Sequence, residues 1–211
     1  MKMSLYVGYV QNADFDSFDD GLRHMYKQGI RYGDIVDAEF SERPLTLYAE
    51  KLHQAGLNVN SIVATKNIAS EDKNIRECNI AAVKGYIDQM EKHKIPYLMV
   101  APNVKPAKNE EQFNTMRVQM IESLFKIADY AKGSGVAVCI ENQSTATRAD
   151  SKMQDIRYIL DSVSELGYTL DAGNFLCVGE DVLKAYDLLK DRLFYAHFKY
   201  WRFDRFGGFV R

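Results

Sequence analysis

The sequence predicts an α/β fold: one domain over residues 1–211 that forms a parallel (β/α) barrel, incomplete at about seven β/α units, with strand eight missing from the chain. Three observations lead there. Short apolar runs alternate with amphipathic stretches along the whole chain, the pattern of strands joined by helical crossovers. No linker, charge block or shift of composition interrupts that alternation. The run VAVCIEN at 136–142 is almost continuously apolar, as a parallel strand covered on both faces is. An open doubly wound sheet shares the alternation, but no strand is followed by GxGxxG or GxxxxGK[ST], so the barrel is favoured. Full barrels of this kind take about 250 residues, and 211 fall short by roughly one unit.

The elements follow in order. LYVGYV (5–10) reads as the first strand, and DSFDDGLRHMYKQG as a helix with Phe18, Leu22 and Met25 at helical spacing. YGDIVDAEF (32–40) is the second strand, turning polar at its end. Pro44 suits a first helical turn, where a missing N–H costs nothing; Leu45, Tyr48 and Leu52 form the apolar stripe behind it, and Gly56 stops the helix. LNVNSIVA (57–64) is the third strand, and Ile80, Val83, Ile87 and Met90 then step along one helical face. IPYLMVAPN (95–103) is the fourth strand, ended by Pro102. Phe113, Met116, Met120, Leu124, Ile127 and Ala131 face inward on a long helix that Gly133-Ser134-Gly135 terminates. After the fifth strand at 136–142, Ser151 and Gln154 have capping-box spacing ahead of Ile156, Ile159, Val163 and Leu166. GYTLD (167–171) is the sixth strand and breaks into an Ala172-Gly173-Asn174 turn; VLKAYDLLKD is a short helix and LFYAHFKYW (193–201) the seventh strand.

The composition is that of a globular chain: 46% hydrophobic, 27% charged, 4 prolines. A net charge of −2 with both signs interspersed lacks the basic footprint of nucleic-acid binding. No apolar run approaches the roughly 20 residues of a membrane span, and MKMSLYVGYVQNADFD has no apolar signal region, so a cytoplasmic protein without a membrane partner is expected. Cys78, Cys139 and Cys177 are odd in number, far apart and without metal-finger spacing, and are expected as reduced, mostly buried thiols.

The strand ends carry the chemistry. Strand five ends at Glu141, strand six at Asp171, and strand seven holds His197, at spacings of 30 and 26 residues, each close to one β/α repeat. Residues that close successive repeats in the same way sit side by side on the carboxyl rim of a barrel, where such folds keep their active sites. Singly, each has a plain structural role available: a strand-end cap, a turn aspartate, a core histidine. Together, two carboxylates and an imidazole suit a divalent cation, with Mn²⁺, Mg²⁺ or Co²⁺ favoured and Zn²⁺ able to bind.

IENQ (140–143), LDAGNFLCVGED (170–181) and YAHFKYW (195–201) resemble the fifth, sixth and seventh strands of the xylose-isomerase-like TIM-barrel superfamily, the sugar phosphate isomerase/epimerase family. The group also includes ketose epimerases, inosose dehydratases and endonuclease IV. The resemblance implies a divalent-metal-dependent isomerase or epimerase of a sugar or sugar phosphate. Glu141, Asp171 and His197 would be its metal ligands, and Glu141 the base that forms a metal-stabilised enediolate. It places Asn142, Asn174 and Lys199 against substrate hydroxyls or the oxyanion, with Asn103 and Glu39 as further substrate-binding candidates and Trp201 and Arg202 as the rim wall. The departures are Asn174 where many epimerases carry His, Tyr200 after the HxK, and a strand-eight Glu ligand that the sequence does not contain. A sugar or inosose dehydratase on the same site, or an inert barrel lacking the fourth ligand, is the alternative. An endonuclease-IV-like phosphodiesterase would need more histidines than His24, His53 and His93, which fall in or near helices. The expected partner is a small carbohydrate. The open seam also suggests a homodimer, with RFDRFGGFVR (202–211) packing over the gap or mediating the contact.

Overall fold

A computed structural model describes residues 3–11, 15–41 and 44–198, together with the backbone of 202–203 and 209–210. Seven strands form one sheet in chain order: β1 Ser4–Tyr6, β2 Tyr32–Val36, β3 Asn58–Ala64, β4 Tyr97–Val100, β5 Ala137–Glu141, β6 Gly167–Asp171 and β7 Leu193–His197. Every neighbouring pair is parallel. A parallel sheet in strict sequential order, with helical returns, curls into a barrel wall because right-handed crossovers all fall on the same face. Among the described residues the chain therefore forms the expected incomplete barrel of seven β/α units.

The helices are α1 Val7–Gln11, α2 Phe18–Lys27, α3 Leu45–Gln54, α4 Lys73–His93, α5 Glu110–Tyr130, α6 Met153–Ser162, α7 Ala172–Cys177 and α8 Val182–Leu189. Their apolar stripes seal the outer face of the sheet: Ile80, Val83, Ile87 and Met90 of α4 and Met116, Met120, Leu124 and Ile127 of α5 are all buried. Asp72, Asn109 and Asp181 cap α4, α5 and α8 by accepting first-turn amides, which satisfies donors that no helical carbonyl can reach. Lys94 ends α4 in the left-handed conformation, at φ 54.

Several boundaries differ from the sequence reading. The strand expected over 5–10 ends at Tyr6, and α1 follows, because Val7 and Val10 share a buried face three residues apart. Gly8 lies against the end of the Glu39 side chain, where a Cβ would come within 2.5 Å of Oε1. The second strand ends at Val36, and Asp37–Ser41 is a 3₁₀ turn. The capping box at Ser151 does not form: Ser151 Oγ donates to Thr145 O, and α6 begins behind Lys152 without a side-chain cap. Ala172-Gly173-Asn174 is the first turn of α7 rather than a glycine turn out of the rim. All three thiols are free, but only Cys139 is buried; Cys177 is intermediate and Cys78 exposed. At the far end, β8 Arg202–Phe203 pairs antiparallel with β9 Phe209–Val210. Among the described residues no helix is long and apolar enough to cross a membrane.

Candidate functional site

Glu141 and Asp171 are the last residues of β5 and β6, and His197 is the last of β7. The β6–β7 register sets Asp171 directly beside His197. One donor atom from each of the three lies within 4.8 Å of the others, and all three residues are buried. His197 Nδ1 stands 2.5 Å from Glu141 Oε1 and 4.0 Å from Asp171 Oδ2, so Nδ1 is the ring nitrogen that faces the carboxylates. The Tyr6 hydroxyl, on β1, is 3.0 Å from Nε2 and 3.3 Å from Nδ1.

Two carboxylates held together out of water are costly unless a cation compensates them. Two ligands about 2.2 Å from one ion are at most about 4.4 Å apart, so donor atoms within 4.8 Å of one another need to close by only a few tenths of an ångström to share it. The donor set therefore fits a divalent cation, held by oxygen from Glu141 and Asp171 and by nitrogen from His197. The negative field is felt by the neighbouring phenols. Burial first, then the charge of Glu141, pushes the Tyr6 and Tyr168 hydroxyls far above the ordinary tyrosine range, so both stay protonated and neutral.

Asp171 is fixed from three directions. It is the N-cap of α7, where its Oδ1 accepts the Asn174 amide at 2.9 Å. Asn142, fully buried, accepts the Asp171 amide at 2.7 Å through Oδ1 and donates Nδ2 to the Asp171 carbonyl at 3.0 Å. The same Oδ1 accepts the Tyr168 hydroxyl at 2.7 Å, and Asn174 Nδ2 donates to the Asn142 carbonyl at 2.8 Å. The side chains of Asn142 and Asn174, which the family resemblance sets against substrate hydroxyls, bond to the protein that supports Asp171. The cause is the unpredicted α7, whose first turn folds Asn174 back onto the strand end.

Glu39 lies half-buried in the 3₁₀ turn after β2 with its carboxylate against Gly8. Asn103 is exposed in the loop after β4, and no hydrogen bond among the described residues joins it to the triad. Lys199 and Trp201 lie outside the described residues; Arg202 contributes backbone to β8, and its side chain lies outside them too. His24, His53 and His93 are exposed on α2, α3 and α4 and take no part in the ligand cluster.

Sequence reasoning missed the supports. Tyr195 lies two residues before His197 and so projects to the same face of β7, a period-two signal that was available. Arg148 was not legible: it donates to both Asp150 oxygens, at 2.9 and 2.7 Å, and to the carbonyls of Pro102 and Val104. That buried pair ties the loop after β5 to the loop after β4 at the rim.

A profile of the family described as xylose isomerase-like TIM barrel matches residues 8–208. Among solved structures, the chain is similar to the IOLI protein with a bound zinc atom, at a TM-score of 0.77 and 16% identity, covering 94% of this chain and 72% of that one. It is similar to D-psicose 3-epimerase with D-tagatose from Clostridium cellulolyticum H10, at 0.77 and 15%, covering 94% and 73%. A sugar phosphate isomerase/epimerase from Parabacteroides distasonis ATCC 8503 gives 0.72 and 15%, covering 91% and 72%. At these identities the likeness is one of fold. A comparison with curated proteins returns no match.

Proposed function

Since the chain belongs to the xylose isomerase-like TIM-barrel family, we propose that it is a divalent-metal-dependent isomerase or epimerase of a sugar or sugar phosphate. The observation that carries this reading is the convergence of Glu141, Asp171 and His197 on one buried point at adjacent strand ends. When bound there, the cation would supply Lewis-acid polarisation of the substrate carbonyl and positive charge for the developing enediolate. Glu141 is the proton carrier: its carboxylate takes the proton from the carbon next to that carbonyl and, in isomerisation, delivers it to the former carbonyl carbon as the hydroxyl proton passes between the two oxygens. Epimerisation needs a second acid on the opposite face of the first carbon. Gln143 steadies the second oxygen of that carboxylate from 3.5 Å. Asn142 and Asn174 hold Asp171 at its place on the rim. The neutral Tyr6 hydroxyl meets the outer nitrogen of His197 and orients the ring. Mn²⁺, Mg²⁺ and Co²⁺ suit the oxygen-rich set, and Zn²⁺ also fits it.

In this reading the partner is a small carbohydrate rather than a nucleic acid or a membrane, with a homodimer across the open seam as its quaternary form. Zinc in one relative and tagatose in another support the reading by analogy of fold. The test incubates purified protein with Mn²⁺ and a panel of ketoses and aldoses in D₂O. Metal-dependent deuterium incorporation next to the carbonyl is expected, and Glu141→Gln should abolish it. If wild-type protein shows no thermal shift with Mn²⁺, Co²⁺, Mg²⁺ or Zn²⁺, the metal-enzyme reading fails. Net loss of water without isomerised product would assign the dehydratase branch instead.

A further inference from the structure

His197 sits on a strand with main-chain partners along one side only. β7 pairs with β6, and among the described residues no strand pairs with its other edge. A strand held along one edge has ladder hydrogen bonds on one side only to fix its position, and the β6–β7 ladder already shifts between Tyr168 and Thr169. Yet the His197 ring has to face Glu141 and Asp171 to within a few tenths of an ångström for the three donors to act together.

Side chains hold the other side of β7. The Tyr195 hydroxyl crosses the barrel and donates to Asp34 Oδ2 on β2 at 2.8 Å. Asp34 is buried, 3% exposed, and its Oδ1 accepts the Ser61 hydroxyl of β3 at 2.7 Å. The acceptor is thus itself anchored to two strands on the far wall. The Tyr195 ring stands edge-on to His197 at a centroid distance of 5.4 Å and packs against Tyr97 of β4 at 5.8 Å. A shift of β7 by one residue would turn Tyr195 out of the barrel and break this bond, so the bond reports and enforces the register that points His197 inward.

We propose that Asp34 and Tyr195 form a cross-barrel tie that fixes the position and register of β7, and are thereby positioning residues for His197. The consequence for metal binding rests on the proposed function; the tie itself rests only on β2, β3 and β7.

Tyr195→Phe tests it, because it removes the hydroxyl and keeps the ring contacts to His197 and Tyr97. Amide hydrogen exchange over 193–198 should rise about tenfold while peptides from α4 and α5 change less than about twofold. Mn²⁺ affinity measured by titration calorimetry should weaken about tenfold or more. Asp34→Asn should reproduce both changes, and the double variant should be no worse than the stronger single one, since the Tyr195–Asp34 bond is lost in both. Unchanged exchange at β7, protection lost evenly across the molecule, or additive effects in the double variant would overturn the proposal. If Tyr195→Phe does not fold, Ser61→Ala removes one anchor of Asp34 and should give a smaller rise confined to the same peptide. If wild-type protein binds no Mn²⁺, the metal reading fails, while the exchange result at β7 still decides the tie.

Discussion

Asn142 shows how much can hang on one side chain. Its Oδ1 takes two buried donors, the Tyr168 hydroxyl and the Asp171 amide, and no water competes at a residue that is 0% exposed. Asn142→Ala should therefore cost about 2 kcal/mol or more in urea unfolding, because both donors are left without an acceptor. Arg148 carries a different load. Burial raises the Asp150 pKa above the ordinary aspartate range, with Arg148 opposing that rise. A carboxyl whose folded pKa lies above the unfolded one stabilises the fold while protonated and loses that contribution as pH rises through the folded value. Arg148→Met removes the opposing cation, so the folded pKa climbs further. The variant should lose about 3–5 kcal/mol at pH 7 and distinctly less at pH 4, as thermal melts at the two pH values will show.

Short elements are where the sequence was least readable. GYTLD is identical in the sequence reading and the fold, since an apolar run stopping on Asp is bounded on both sides. The six residues of α7 and the five of α1 are too few for a 3.6-residue period to register, and glycines at 173 and 8 argue for turns. What makes α7 helical is Asp171, which caps it while standing in the ligand set. The two roles separate by substitution. Asp171→Asn keeps a cap acceptor and should stay near wild-type stability in the absence of metal, yet lose the Mn²⁺-induced thermal shift. Asp171→Ala should lose that shift and a further ~1 kcal/mol of stability. Equal metal-free stability of the two variants would remove the capping role.

At the scale of the whole molecule, the site is a joint between strands. Its donors arrive on β5, β6 and β7, so a bound cation links three β/α units and stabilises only the folded arrangement. At a metal concentration of about 100 times Kd the gain is about 2.7 kcal/mol, which for a chain of this size raises Tm by about 5–10 °C. Calorimetry with and without a chelator should show that difference, and Glu141→Gln should shrink it. Exposed Phe194 on β7 and the unpaired edge among the described residues mark the face where the sheet is least supported. The cross-barrel hydrogen bonds hold the inner face of the same strand, opposite Phe194.

The alternation of apolar runs determined the parallel strand order, and the spacing of Glu141, Asp171 and His197 determined that three ligand types close successive repeats. Both are local or periodic properties, and a linear pattern can record them. The tertiary structure alone decided which nitrogen of His197 faces the carboxylates, that Asn142 and Asn174 serve Asp171, and that Tyr195 meets Asp34 from 161 residues away. Those contacts depend on how far the sheet curls and which side chains its interior then brings together, and no spacing along the chain encodes that curvature.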